Sequence, residues 1–178
     1  PSLTAHMIRI LPYKPRERVQ KIYLRNLSIG EYHKRAFPTD NKCHLCIPPT
    51  AAPPPAETLR HLFHECFITR RLWATVKTEL WSTATATPMP IDAYSQITGD
   101  ISHLSPPHPC SSLWYILHTS LISRLYIERC NQCFRATPTP RTPPSARVIV
   151  GSILSALKID IADSIRATWR HTRAATSD

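Results

Sequence analysis

"CHLCIPPTAAPPPAETLRHLFHEC", residues 43–66, sets three cysteines and a run of prolines against a helix-forming segment, with His61 and His64 just before the last cysteine. Two residues separate Cys43 from Cys46, a spacing that lets a tight turn aim both sulfurs at one ion. A structural zinc site closes with four ligands in a tetrahedron, so the second pair has to come from His61, His64 and Cys66. The preferred set is Cys43, Cys46, His61 and Cys66, or C-x2-C-x14-H-x4-C. His64 is the substitute, poorly placed because it sits two residues from Cys66 on a helical backbone.

The obstacle is angular. Residues five apart on an ideal helix point about 140° away from each other. His61 and Cys66 can therefore share an ion only if the helix is irregular between them, which zinc modules tolerate by tightening or loosening a helix terminus. The prolines between 48 and 55 fit this scheme, because a stiff connector between ligand pairs has little entropy to lose on folding. Two plainer readings compete: buried cysteines acting as small apolar groups, and a disulfide. With no charged-then-apolar leader in the sequence, an oxidising compartment is not expected and the disulfide is disfavoured.

Working outward, Leu59, Leu62, Phe63, Cys66, Trp73, Val76 and Leu80 recur at three- and four-residue steps, which predicts one long amphipathic helix from Ala56 to about Trp81. Residues 15–29 predict a short basic helix. Residues 82–112, rich in Ser, Thr and Pro, predict a loop with a short turn around 91–97. Helix resumes at about Ser111 and runs to Arg135, with Leu113, Trp114, Leu117, Leu121 and Leu125 on one side. "TPTPRTPP", residues 137–144, stops it. A last helix from about Pro144 to His171 carries Val150, Ile153, Leu154, Leu157, Ile161, Ile165 and Trp169 as a stripe. The expected fold is all-α, four to five helices joined by Pro-rich loops, with one structural CCHC zinc site. Its parts are a basic lead-in (1–42), the zinc module and long helix (43–81), a loop (82–112), an apolar helix (113–136), and a Pro-rich linker with the C-terminal helix (137–178).

With 178 residues, 18 prolines and 3 glycines, the chain suits one small helical unit with stiff connectors. Its formal charge of +10 favours a polyanionic partner. That charge is uneven: residues 1–42 hold nine Lys or Arg against three acids, while 82–112 hold two acids and no Lys or Arg. The candidate phosphate-contacting residues are Lys14, Arg16, Arg18, Lys21, Arg25, Lys34, Arg35 and Lys42, extended by Arg60, Arg70 and Arg71. No apolar run approaches the ~20 residues that cross a bilayer, so no membrane partner is expected. The start at Pro1, in mid-pattern, leads us to expect a piece of a longer polypeptide.

Cys130 and Cys133 repeat the C-x2-C spacing but lie in a helical stretch, where packing is the expected role; Cys110 reads as a lone thiol in a loop. Asp160 and Asp163, one turn apart, read as a solvated helix face. There is no adjacent aspartate pair, Gly-rich phosphate loop or Gly-x-Ser-x-Gly, and a four-ligand site leaves zinc no open position for water. No enzyme activity and no small-molecule substrate are expected of this segment.

"CHLC…ETLRHLFHECFITRRLW" resembles the zinc-binding region at the C-terminal end of non-LTR retrotransposon reverse transcriptases. That pattern of Cys-x2-Cys, Glu-Thr, His, an apolar pair, Cys and a later Trp is met by Cys43, Cys46, Glu57, Thr58, His61, Leu62, Phe63, Cys66 and Trp73. "YLRNLSIGEYHKRAFP" and "WYILHTSLISRLYIERCNQCF" are similar to its flanks, so the resemblance covers residues 15–135. It departs in the long Pro-rich gap and in Leu-Ser-Ile-Gly-Glu where the family has Arg-Thr-Gly-His. The resemblance implies one structural Zn2+ and a nucleic-acid-binding accessory module. Its partners would be RNA or DNA and the rest of a reverse transcriptase polypeptide, an RNA-directed DNA polymerase. It also implies a nuclear and cytoplasmic ribonucleoprotein rather than a secreted protein.

Overall fold

The computed structural model describes residues 42–46, 55–101, 110–134 and 145–175, together with Glu17 and Lys21. Among these the chain is mostly helical and has no strand, only an isolated antiparallel bridge between Lys42 and Ala56. Most of the basic lead-in and the Pro-rich connectors expected after Cys46 and after Arg135 lie outside the described residues. The all-α architecture is as the periodicities predict.

The run that begins at Leu59 is not the single amphipathic helix expected. It opens with a π-helical turn, His61–Glu65, and breaks at Cys66, where ψ is 135°. It resumes as α1 (Phe67–Val76), passes through a second π turn, Lys77–Trp81, and ends in the short α2 (Ser82–Ala84), beyond the expected end at Trp81. Periodicity reports which side of a segment is apolar. It does not register one extra residue per turn, which shifts the apolar face without abolishing it.

α3 (Ala93–Thr98) stands where the sequence predicts only a turn. Six residues are too few for a periodic signal, yet both ends are signalled chemically. Asp92 caps the start, its Oδ1 accepting from Ser95 N–H at 2.8 Å and its Oδ2 from the Ser95 hydroxyl at 2.7 Å. Gly99 ends it at φ +73°, where an added Cβ would also lie 2.7 Å from His118 Nδ1. Both the left-handed backbone and the close approach therefore require glycine there.

α4 (Ser111–Phe134) is the central helix. Burial is not confined to the expected stripe: Trp114, Leu117, Leu121 and Leu125 are covered, but so are Thr119, Ile122 and Ser123 on other sides, and Leu113 is only half-buried. α5 (Ala146–Ala175) packs along α4 and against α1. Its buried residues are Ile149, Ile153, Leu154 and Leu157, with Val150 and Ile161 half-buried. Ile165, read as part of the stripe, is 45% exposed. Asp160 is not merely solvated either: Arg124 of α4 grips it with two bonds, Nε to Oδ2 at 2.7 Å and Nη2 to Oδ1 at 2.6 Å. Asp163 does sit on an exposed face, beside Arg166.

An aromatic centre joins these elements and positions the site. Trp73 of α1 stacks on Trp114 of α4 with ring centroids 5.6 Å apart, and Trp81 meets Trp114 edge-on at 6.3 Å. Each buried indole N–H needs an acceptor, and each finds a backbone carbonyl. Trp73 donates to Phe63 O, Trp81 to Thr87 O and Trp114 to Gly99 O. The three tryptophans thereby tie the first π turn, the segment after α2 and the end of α3 to one core.

Candidate metal centre

The first half of the centre comes from residues 43–46. Cys43 N–H donates to Pro55 O at 2.9 Å, which holds the two chain segments side by side, and Leu45 is fully buried beneath the turn. The second half depends on the "ET" dipeptide. Thr58 Oγ1 accepts from His61 N–H at 2.9 Å, an N-terminal cap on the helical run. Glu57 is fully buried and meets Arg129 of α4, whose Nε and Nη2 lie 2.9 and 2.7 Å from Oε1. That fork anchors the start of the ligand-bearing turn to the central helix.

The π turn then supplies the irregularity that the ligand spacing demands. Cys66 N–H donates to His61 O at 2.6 Å, a bond spanning five residues. In this winding, residues five apart return to nearly the same side, instead of diverging by the ~140° of an α-helix. His61 and Cys66 thus face one point. Thr69 Oγ1, donating to Leu62 O at 2.6 Å, ties α1 back across the break.

The ligand atoms of Cys43, Cys46, His61 and Cys66 all lie within 4.8 Å of one another. Cys46 Sγ is 3.2 Å from His61 Nε2 and 3.6 Å from Cys66 Sγ, and Cys43 Sγ is 3.9 Å from Cys66 Sγ. Zinc bonds of about 2.3 Å to sulfur and about 2.0 Å to nitrogen in a tetrahedron imply ligand separations of roughly 3.5 to 3.8 Å. The cluster fits that tetrahedron and could hold one zinc ion. His64 does not take part: its Nδ1 is 2.7 Å from Gln96 Oε1 of α3. Among the described residues this is the one cluster of metal-ligating groups.

Compared with known proteins, the chain matches no protein-family model, no curated protein and no solved structure.

The ligand groups are electrostatically coupled. Hydrogen bonding with Cys43 and then Cys66 pulls the Cys46 thiol far below the ordinary thiol range. Cys43, bonded to Cys46 and Cys66 and buried, is pushed far above that range. His61 is pushed up to about 9 by its hydrogen bonds to Cys46 and then Cys66. A divalent cation bound to three thiolates and a neutral imidazole displaces these protons.

The cations read as candidate nucleic-acid contacts fall into distinct situations. Lys14, Arg16, Arg18, Arg25, Lys34 and Arg35 lie outside the described residues. Lys42 is exposed beside Cys43. Lys21 pairs with Glu17 at 2.8 Å and Arg60 with Glu65 at 2.5 Å, both pairs solvated. Arg71 lies over the Phe67 ring, 5.4 Å from its centroid. Arg70 is exposed on α1 without a carboxylate partner among the described residues. Lys77, which the sequence reading did not single out, shares that situation one heptad later.

Arg129 was also not singled out, since an arginine inside an apolar helix looks like any solvated charge until its partner is known. Cys130 and Cys133 are half-buried on α4 and outside the cluster, and burial pushes the Cys133 thiol up. Cys110 is not a solitary loop thiol: it precedes α4, half-buried, with its Sγ 3.2 Å from Thr85 Oγ1.

Proposed function

We propose that this chain is a non-catalytic, zinc-stapled helical module that binds RNA or DNA as the C-terminal part of a non-LTR retrotransposon reverse transcriptase. The observation that carries the reading is the convergence of three thiols and one imidazole at tetrahedral separations, from the spacing C-x2-C-x14-H-x4-C. Zinc would act as a staple, joining the 43–46 turn to the π turn. Four protein ligands complete its coordination, so this site offers no position for a reacting water.

Further support comes from the residues that carry the resemblance. Glu57 anchors, Thr58 caps, His61 and Cys66 converge, Leu62 and Phe63 are buried, and Trp73 ties the turn down. The formal charge of +10 supports a polyanionic partner. No helix among the described residues is long and apolar enough to cross a membrane.

The test is metal analysis followed by RNA and DNA binding on the same sample. One zinc per chain is expected. If six to ten phosphates are contacted, affinity should fall by roughly 10³ to 10⁵ between 50 and 200 mM salt. Salt-insensitive binding, or none, would sink the nucleic-acid part.

A second reading, a structural domain that buttresses the polymerase without touching nucleic acid, is favoured by one observation. Arg60 and Arg71 are already engaged within the module, with Glu65 and Phe67. Reversing Arg16, Arg18, Lys21 and Arg25 to Glu separates the two readings. Weakened binding by the folded variant favours the nucleic-acid reading, and a folded wild-type chain that binds neither RNA nor DNA favours the structural one.

A further inference from the structure

A pocket of about 260 Å³ lies beside the first π turn, between α1 and α3, with His64, Arg70, Ala74, Lys77, Ile91 and Gln96 among its walls. Its volume is below the ~300 Å³ at which pockets for drug-sized ligands begin. It is suited to one small unit, not an extended cofactor. Two features point to that unit's chemistry.

The first is charge. Arg124, Arg129, Lys158 and Arg166 each face a carboxylate within 4 Å, as does Arg60. Arg70 and Lys77 face none among the described residues, and seven residues apart on one helical run they share a face. Two uncompensated cations at the mouth of one pocket favour an anion. The second feature is the wall. Ile91, 53% exposed, offers an apolar surface, while Gln96 is only 5% exposed and its Oε1 is committed to His64 Nδ1. That leaves the Gln96 amide NH2 as a hydrogen-bond donor without a partner among the described residues.

We infer that this pocket takes a single nucleotide unit of an unpaired strand, its phosphate held by Arg70 and Lys77, its sugar and base against Ile91, and a base acceptor met by Gln96. The inference rests on the nucleic-acid reading above and adds to it a place and a preference. A base stacked in a duplex cannot enter so small a pocket without being flipped out, so single strands are the ligand. His64, set aside as a metal ligand, acquires a role as the group that orients the Gln96 amide.

The test measures binding of a labelled single-stranded oligonucleotide and of its duplex to the zinc-loaded chain by fluorescence anisotropy across a salt series. Single strands should bind more tightly. Arg70→Ala with Lys77→Ala should weaken single-strand binding about tenfold and flatten the salt slope by roughly 0.7 per lost phosphate contact. Ala74→Leu adds bulk to the pocket without changing charge or helix propensity much, and should weaken it several-fold. Arg147→Ala removes an exposed charge outside the pocket and should cost less than twofold. Zinc content and melting temperature should be unchanged throughout.

Full-strength binding by Ala74→Leu, or an equal loss in Arg147→Ala, would overturn the pocket while leaving nucleic-acid binding intact. Displacement by poly-glutamate as effective as by unlabelled oligonucleotide would overturn it in favour of an acidic protein segment. A wild-type chain that binds no nucleic acid would remove both readings together.

Discussion

Two π-helical turns lie in one helical run and have different consequences. In His61–Glu65 the five-residue bond ends in a break at Cys66, and three of its residues are buried. In Lys77–Trp81 the same kind of bond passes into Ser82 with helical angles (φ −67°, ψ −20°), and only Trp81 is buried. Both turns widen the helix by the same device. The first brings a candidate ligand to each end and is held by Glu57, Thr69 and Trp73; the second carries no candidate ligand, with Trp81 tied to Thr87 O and Trp114, Glu79 paired with Lys158 of α5, and Ser82 Oγ donating to Lys77 O at 2.8 Å. A π turn is thus a way of re-aiming side chains, and what it does depends on what it aims.

The sharpest way to break this contrast is to disable the candidate metal site at the first turn. A chelator, or Cys66→Ser, should abolish zinc stoichiometry and much of the helical circular dichroism, because structural zinc contributes on the order of 10 kcal/mol in small modules. Undiminished helicity without zinc would show that packing alone holds the turn.

Next in size is the anchor. Arg129→Met takes the guanidinium away from the buried Glu57 carboxylate and should destabilise the chain by about 3 to 5 kcal/mol in urea unfolding. Arg129 Nη1 is already buried without a hydrogen bond. Combining Arg129→Met with Glu57→Leu should recover most of the loss, which would show that the pair supplies position more than net stability.

The third test uses acid. His118 is buried against both Trp73 and Trp114, and its Nε2–H donates to Gln96 O at 3.0 Å. Burial pushes it down to about 4. The unfolded chain takes up this proton near pH 6.5, whereas the folded one resists until about 4. His118 therefore contributes stability above pH 6.5 that is lost as pH falls toward 4, on the order of 3 kcal/mol. His118→Gln should flatten that part of the stability profile, compared at equal zinc occupancy.

The smallest effect is expected in the second turn. Ser82→Ala removes one exposed hydrogen bond and should shift stability by about 0.5 kcal/mol or less, with zinc content unchanged. A loss as large as that of Cys66→Ser would erase the distinction between the turns.

Much of the candidate site is legible in the sequence because its information is local. Two cysteines separated by two residues, and a histidine and cysteine separated by four, specify both a ligand set and the irregularity needed to unite it. Spacing already favours His61 over His64, and the folded chain adds the reason His64 stays out, because α3 brings Gln96 to it. α3 itself is shorter than the window in which periodicity can be seen, although Asp92 and Gly99 mark its ends.

Helix-forming content, the apolar side of the long helices in outline, and the four candidate metal ligands follow from near-neighbour patterns along the chain. Folding in three dimensions was needed for the rest. Glu57 and Arg129 are 72 residues apart in sequence, Arg124 and Asp160 are 36 apart, and Arg70 and Lys77 acquire a pocket only when α3 closes against them. Such pairings depend on how helices pack, and no short window of sequence contains both partners. Buried charge and small cavities are therefore decided by tertiary contacts, while helix and ligand spacing are decided by the pitch of the backbone.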